Sequence, residues 1–422
     1  MNGIGGGMQV SYHALFQTFG RIGCLSFGGP AAQIALMEDE LVSRRGWLTA
    51  DGFLRALSFC MLLPGPEAMQ LATYAGWRLR GVGGGLLAGT LFVLPGALVI
   101  FALAALYIGY GAQPLVQETF LGVQATVIII VVAALRKLAA KALNGREGMV
   151  LAALAFVAIF ALGLPFPLII LVAGVFGYVT ASAGTTPESE VSERPNRPVI
   201  ATLAALWGLP VLALWGLGAT FLFTIALFFS QLAVVTFGGA YAVLAYMTQT
   251  VVQEQGWIAT EDMIAALGLA ETTPGPLILV TQFVGILAGH AVGGWPLAIA
   301  AGLLTLWVTF LPCFLWIFAG APYIEQLTQA PRIAAALRAV TAAVVGVIAN
   351  LSLWFALHVF FSDVNGLPFA MGELPVPALA SFQPLALLYA ALAALLILGA
   401  RRGILTTLLL VAGLAFAVAL AT

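Results

Sequence analysis

The chain has 422 residues, 62% of them hydrophobic and only 8% charged, against roughly 25% charged in a soluble domain. Its 16 basic and 17 acidic side chains leave a formal net charge of −1, which excludes a basic surface for nucleic acid. Apolar runs of about 20 residues recur with room for roughly a dozen membrane segments, which excludes a soluble enzyme or an attached nucleotide-hydrolysing domain.

In chain order, the start (Met1–His13) lacks the basic and apolar regions of a cleaved signal peptide. Residues 11–37 form an apolar segment broken at Gly28-Gly29-Pro30, and residues 53–77 a second one broken at Pro64-Gly65-Pro66. Proline cannot continue an α-helix and pushes the residue before it toward extended geometry. Each segment is therefore expected as two half-helices of two to three turns, joined by irregular backbone. Such backbone is tolerated at membrane depth only where it is buried in protein or lines a cavity. Unbroken runs near 82–106, 119–135, 148–163 and 165–182 follow as crossing helices. A Pro/Ser/Glu-rich stretch at 184–198 reads as a solvated linker, and one more apolar run occupies 199–217. The remainder breaks at Gly238-Gly239 and at Pro274-Gly275-Pro276, then runs apolar near 293–318, 339–361, 384–399 and 403–421.

That order is one pattern written twice. Phe27-Gly28-Gly29, Gly46-Trp47 and Pro64-Gly65-Pro66 recur 210 positions later, and an ungapped alignment of 26–66 with 236–276 gives 14 identities in 41 positions. The expected domains are a repeat at 1–182, a linker with one extra span at 183–218, and a second repeat at 219–422. If the four broken segments return to their own side and the other runs cross, 14 of the 16 basic residues fall on one face. Arg44-Arg45 of the first copy become Glu254-Gln255 in the second, consistent with the extra span turning the second copy over. The fold class expected is thus an all-α polytopic membrane protein, with two homologous halves as an inverted-topology repeat with broken, re-entrant helices. In transporters of this architecture the substrate site lies at the midplane, between corresponding broken helices.

The breaks point to the ligand. Pro30 and Pro66 stand where a new half-helix would begin, and the amides that follow are unpaired donors at the positive end of a dipole. Gly28, Gly29, Gly65, Gly238, Gly239 and Gly275 let backbone approach an oxyanion without a Cβ in the way. Ser26, Gln70, Thr236, Thr273 and Gln282 add side-chain donors nearby. Arg21 has two open readings, a buried anion ligand or a side chain snorkelling to the interface. Glu67 lies in the first turn after Pro66, where the dipole favours its charge and where it would occupy the anion's niche, exchanging with the substrate or shaping its site. Glu271 ends the half-helix before Pro274, a setting that disfavours charge, and is the proton-coupling candidate. The plain alternative for both carboxyls is capping of free backbone donors. No catalytic residue, metal ligand set or cofactor is expected: Cys24, Cys60 and Cys313 read as core residues, and His13, His290 and His358 stand alone.

Ser26-Phe27-Gly28-Gly29-Pro30-Ala31, Leu63-Pro64-Gly65-Pro66-Glu67-Ala68, Phe92-Val93-Leu94-Pro95-Gly96, Val235-Thr236-Phe237-Gly238-Gly239 and Glu271-Thr272-Thr273-Pro274-Gly275-Pro276 together resemble the chromate ion transporter family, in its long, two-domain branch. The resemblance covers nearly the whole chain. It implies a multi-pass carrier of the bacterial inner membrane that exports chromate, with sulfate as a structural analogue, and confers chromate resistance. Residues and spacing alone reach only an inverted-repeat transporter for an anion. A passive oxyanion channel on the same scaffold is the alternative, and a membrane-embedded chromate reductase would need clustered His or Cys ligands. The expected partners are the oxyanion, the lipid bilayer, a proton as candidate coupling ion and a second copy of the chain as a candidate homodimer, with no nucleic acid.

Overall fold

The structure is a computed structural model that describes residues 10–181, 196–237, 239–369 and 372–421. Gly238 and most of the expected linker lie outside the described residues. In chain order come α1 (Tyr12–Leu25), α2 (Gly29–Glu38), a π-helical turn (Asp39–Arg44), α3 (Ala50–Cys60), α4 (Glu67–Tyr110), α5 (Pro114–Ala142), α6 (Arg146–Phe160), α7 (Phe166–Thr180) and α8 (Arg197–Gly216). The second half has α9 (Thr220–Val235), α10 (Ala240–Met247), a π-helical turn (Thr248–Glu254), α11 (Thr260–Glu271), α12 (Val280–Gly320), α13 (Ile324–Gln329), α14 (Pro331–Phe360), α15 (Pro384–Ala394) and α16 (Ile404–Ala421). Among the described residues six helical stretches are long and apolar enough to cross a membrane, consistent with a polytopic α-helical membrane protein. One feature was not foreseen: an antiparallel hairpin of β1 (Val364–Phe369) and β2 (Gly372–Pro377) between α14 and α15.

The breaks fall where glycine and proline dictate. Ser11 caps α1 by accepting from the Ala14 amide at 3.1 Å, and α1 ends at Ser26. Gly28 then takes a left-handed conformation (φ 85°, ψ 21°) and α2 starts with a proline in its first turn. Both halves repeat the same backbone devices. Each π-helical turn closes on a glycine, Gly46 (φ 59°) or Gly256 (φ 60°), and on a Trp amide: Trp47 donates to the Leu41 carbonyl at 2.8 Å, and Trp257 to that of Val251 at 2.9 Å.

The chain packs as two compact units, and each draws on both repeats. The first comprises Met1–Leu103, Ser182–Gly239 and Thr272–Ala334. In it α4 is not one rod: 44 residues would run about 66 Å, twice the hydrocarbon core. The helix turns back at Arg80 (φ −145°, ψ 26°) and Gly81 (φ 64°, ψ −156°), so that Gly76 packs on Gly84 and Gly89 on Thr73. α12 folds back in the same way at Gly293 (φ −152°, ψ 27°) and Gly294 (φ 65°, ψ −159°), with Gly289 on Leu297 and Gly285 on Thr305. Small residues let the paired backbones approach closely, which is how helices pack where lipid supplies no hydrophobic drive. Trp207 of α8 donates to Ser230 of α9 at 3.2 Å, and Trp307 of α12 to the Leu206 carbonyl at 2.8 Å, tying these three helices.

The second unit comprises Ala104–Ala181, Ala240–Glu271 and Ala335–Thr422. α5 packs against α11, α15 and α16, with Gly122 against Val411 and Gly268 against Val123. α14 lies on α6 and α7 through Gly346 and Gly177. Gln249, in the second π-helical turn, holds the start of α7 by donating to the Leu164 carbonyl (3.3 Å) and accepting from the Phe166 amide (3.2 Å).

Candidate functional site

Within the first unit the predicted breaks meet in two crossed pairs. The Ser26 carbonyl, at the end of α1, accepts a 2.9 Å hydrogen bond from the Gly275 amide. The Thr236 carbonyl, at the end of α9, accepts one of 2.9 Å from the Gly65 amide. Ser26 and Thr236 are mates in the repeat, and so are Gly65 and Gly275. Each helix-ending break therefore binds the Pro-Gly-Pro break of the other half, reciprocally. Gly65 (φ 119°) and Gly275 (φ 89°) hold backbone conformations that a side chain disfavours, which is why glycine occupies both. Gly96 in α4 comes close under the Pro274 carbonyl, where any larger residue would collide.

Side chains fasten the crossing. Gln33 of α2 places its amide nitrogen between the Gly275 carbonyl (2.6 Å) and the Ser26 carbonyl (3.2 Å), and Gln70 donates to the Pro64 carbonyl at 2.7 Å. The Ser26 hydroxyl donates back to the Ile22 carbonyl at 2.6 Å, and that of Thr236 to Leu232. All four are buried. Both hydroxyls and the Gln33 amide donate to backbone carbonyls, and Gln70 divides its amide between the Pro64 carbonyl and the Cys313 thiol, so main-chain amides are the donors that remain for an anion. No side chain caps α2, whose first-turn amides at Gly29, Ala31 and Ala32 have no intrahelical partner to bind. The glutamines also leave acceptors over: Gln33 Oε1, Gln70 Oε1 and Gln282 Oε1 are buried without a hydrogen-bond partner among the described residues. A buried acceptor left unpaired costs about 1–3 kcal/mol, so these oxygens call for a donor.

The other expected residues take these places. Gly28 and Gly29 open α2 at φ 85° and 79°, and Gly239 stands at φ 100° before α10; a Cβ at Gly29 or Gly239 would meet no atom within 4 Å. Glu67 is the first residue of α4, Thr273 is buried just before Pro274, and Gln282 is buried in the first turn of α12. Arg21 is engaged by a carboxylate, pairing with Glu40 at 3.2 Å. Glu271 belongs to the second unit, where it ends α11, is 6% exposed, and accepts a 2.6 Å hydrogen bond from the Tyr241 hydroxyl. Gln33, Tyr241 and Glu40 were not singled out in the sequence. The available signal was faint: single polar residues in otherwise apolar half-helices or beside the arginines of the turn.

The chain is also similar to known proteins over most of its length. The family model described as Chromate transporter matches over residues 13–178 and again over 223–419, one stretch in each repeat. A protein of Synechococcus elongatus named "Probable chromate transport protein" is 32% identical over 344 residues, covering 81% of this chain and 83% of its own. The "Chromate transport protein" of Cupriavidus metallidurans is 32% identical over 335 residues, 79% of this chain and 80% of the relative. That of Pseudomonas aeruginosa is 33% identical over 350 residues, 80% of each. No solved structure matches. With a family match in both repeats and relatives aligned over most of their length, the chain belongs to the chromate transporter family.

Proposed function

We propose that this protein is a secondary active carrier, not an enzyme, that exports chromate across the bacterial inner membrane and so confers chromate resistance, with sulfate as an analogue at the same site. The reading is supported above all by the reciprocal crossing of the four breaks, which gathers helix ends from both repeats, with the uncapped amides of α2, into one unit. The halves are inverted with respect to the membrane, so the crossing lies near the midplane and opens alternately to either face. The partnerless glutamine oxygens fit an oxyanion that arrives protonated or with water, because a bare dianion offers no donor. The proton is the coupling ion and Glu271, held by Tyr241, its carrier.

Uptake of labelled chromate and sulfate into proteoliposomes, under separately imposed pH, sodium and voltage gradients, tests this reading. Accumulation above equilibrium driven by a pH gradient is the expected result. Flux that only runs down the substrate gradient would make the protein a channel and overturn the carrier assignment.

A further inference from the structure

A charged cluster stands in the first unit that the crossing does not use. Glu40, in the first π-helical turn, has a side chain only 3% exposed and meets three arginines: Arg21 Nη1 of α1 at 3.2 Å, Arg44 Nη1 at 3.1 Å and Arg45 Nε at 3.7 Å. Arg44 Nε also pairs with Asp39 at 2.8 Å. A buried carboxylate must be compensated, and these cations do so. The arginine side chains stay open to the outside, those of Arg21 and Arg44 53% exposed and that of Arg45 34%. Each guanidinium has five N–H donors, more than Glu40 and Asp39 can use from beneath. Three cations against two carboxylates leave one positive charge in excess. Arg45 is further fixed 4.9 Å above the ring of Trp47.

The second repeat shows that the fold does not require this cluster. The mates of Arg21, Asp39, Glu40, Arg44 and Arg45 are Gln231, Gln249, Thr250, Glu254 and Gln255. Without one arginine they form the same π-helical turn, closed by the same glycine and tryptophan. The charges of the first copy are therefore surplus to the backbone they decorate.

We propose that Arg21, Arg44 and Arg45 form an outer subsite for a divalent oxyanion, present in the first repeat only, with Glu40 as a tethered carboxylate that occupies it from beneath. The inference rests on the oxyanion-transport reading and names where the substrate first docks. A planar guanidinium matches an oxyanion with paired donors, so sulfate or chromate and Glu40 compete for the same N–H groups. Arg21 lies on the helix that ends at Ser26, so a dianion that draws Arg21 from Glu40 also loosens the tie between α1 and the turn after α2. Glu40 is thus a positioning residue that holds the subsite assembled while it is empty.

Equilibrium binding of radiolabelled sulfate to the purified full chain in detergent is the test. Glu40→Gln removes the competing charge but keeps an acceptor for the arginines, and should lower the Kd about tenfold. The double variant Arg44→Gln/Arg45→Gln should raise it about tenfold, a readout that stands even if Glu40→Gln fails to insert. Glu254→Gln, which removes a carboxylate from the matching turn of the second repeat, should leave it unchanged. A wild-type Kd in both first-repeat variants, or an equal change in Glu254→Gln, overturns the subsite. If wild-type proteoliposomes accumulate chromate while these Kd values stay put, only the subsite is lost. If the Kd values move but no oxyanion is carried, the subsite stands and the carrier reading falls.

Discussion

The two crossed hydrogen bonds are equal in length, yet glycine should not be equally indispensable at both. A residue with a Cβ pays for a left-handed backbone at either position, about 1–2 kcal/mol. The surroundings then separate them. At Gly65 an added Cβ would lie 2.9 Å from Gln70 Nε2 and 3.0 Å from Cys313 Sγ. Gln70 has nowhere to retreat without releasing the Pro64 carbonyl, and Cys313 is buried. Overpacking of that kind costs about 1–3 kcal/mol more. At Gly275 the nearest atoms would be Leu279 Cδ1 at 3.3 Å and the Phe92 carbonyl oxygen at 3.4 Å, contacts that a small shift accommodates. Gly65→Ala should therefore destabilise by about 2–5 kcal/mol and Gly275→Ala by about 1–2 kcal/mol. Denaturant titration of the detergent-solubilised protein, followed by tryptophan emission, reads the difference in midpoint at constant slope. Equal midpoints for the two variants, or a larger loss at Gly275, would refute the crossing as described.

Three further outcomes are expected. Single cysteines at Ser43 and Gln253, in a background without the native three, should label from opposite faces of the membrane; labelling from one face would remove the inversion. Gly29→Val and Gly239→Val should abolish sulfate binding in a protein that still inserts, because each puts a branched side chain into left-handed backbone at its break, and wild-type affinity would take both breaks out of the site. Glu271→Gln should make transport independent of pH while sparing sulfate binding, and Tyr241→Phe should displace the pH profile without abolishing it; an unchanged rate and profile in Glu271→Gln would make that carboxyl structural.

What could be read from the chain beforehand follows from the chemistry of glycine and proline. The breaks at Gly28-Gly29 and Pro64-Gly65-Pro66 were legible because no other residues impose those conformations, and their recurrence exposed the repeat. The turning point of α4 was legible too, since the apolar run stops at Arg78-Leu79-Arg80 before Gly81. Which break meets which was not legible. That pairing depends on contacts between the two halves, Ser26 with Gly275 and Thr236 with Gly65, and each half alone leaves it open. Gln33 escaped notice because its role is to reach across to Gly275, and nothing in its own helix records the partner. The β-hairpin was hidden for another reason: Pro368, Pro375 and Pro377 interrupt the alternation that marks a strand.

The duplicated parts of the molecule are those that only backbone can supply, and the side chains laid on them differ. Both halves have the helix-ending break, the π-helical turn closed by Gly and Trp, the Pro-Gly-Pro break and the glycine fold-back. Yet the mate of Gln33 is Val243, that of Gln70 is Val280, that of Glu40 is Thr250, and those of Tyr241 and Glu271 are Ala31 and Met61. A scaffold whose only task was to stand would have no reason to bury polar groups on one copy and apolar ones on the other, because each buried polar group has to be compensated. The buried Gln33 and Gln70 and the arginine-bound carboxylate fall to the first copy, and the buried Gln282, whose mate is Ala72, and the hydrogen-bonded Tyr–Glu pair to the second. The repeat therefore fixes where the chain can break and cross, and the side-chain roles proposed for binding and coupling fall among its departures from symmetry.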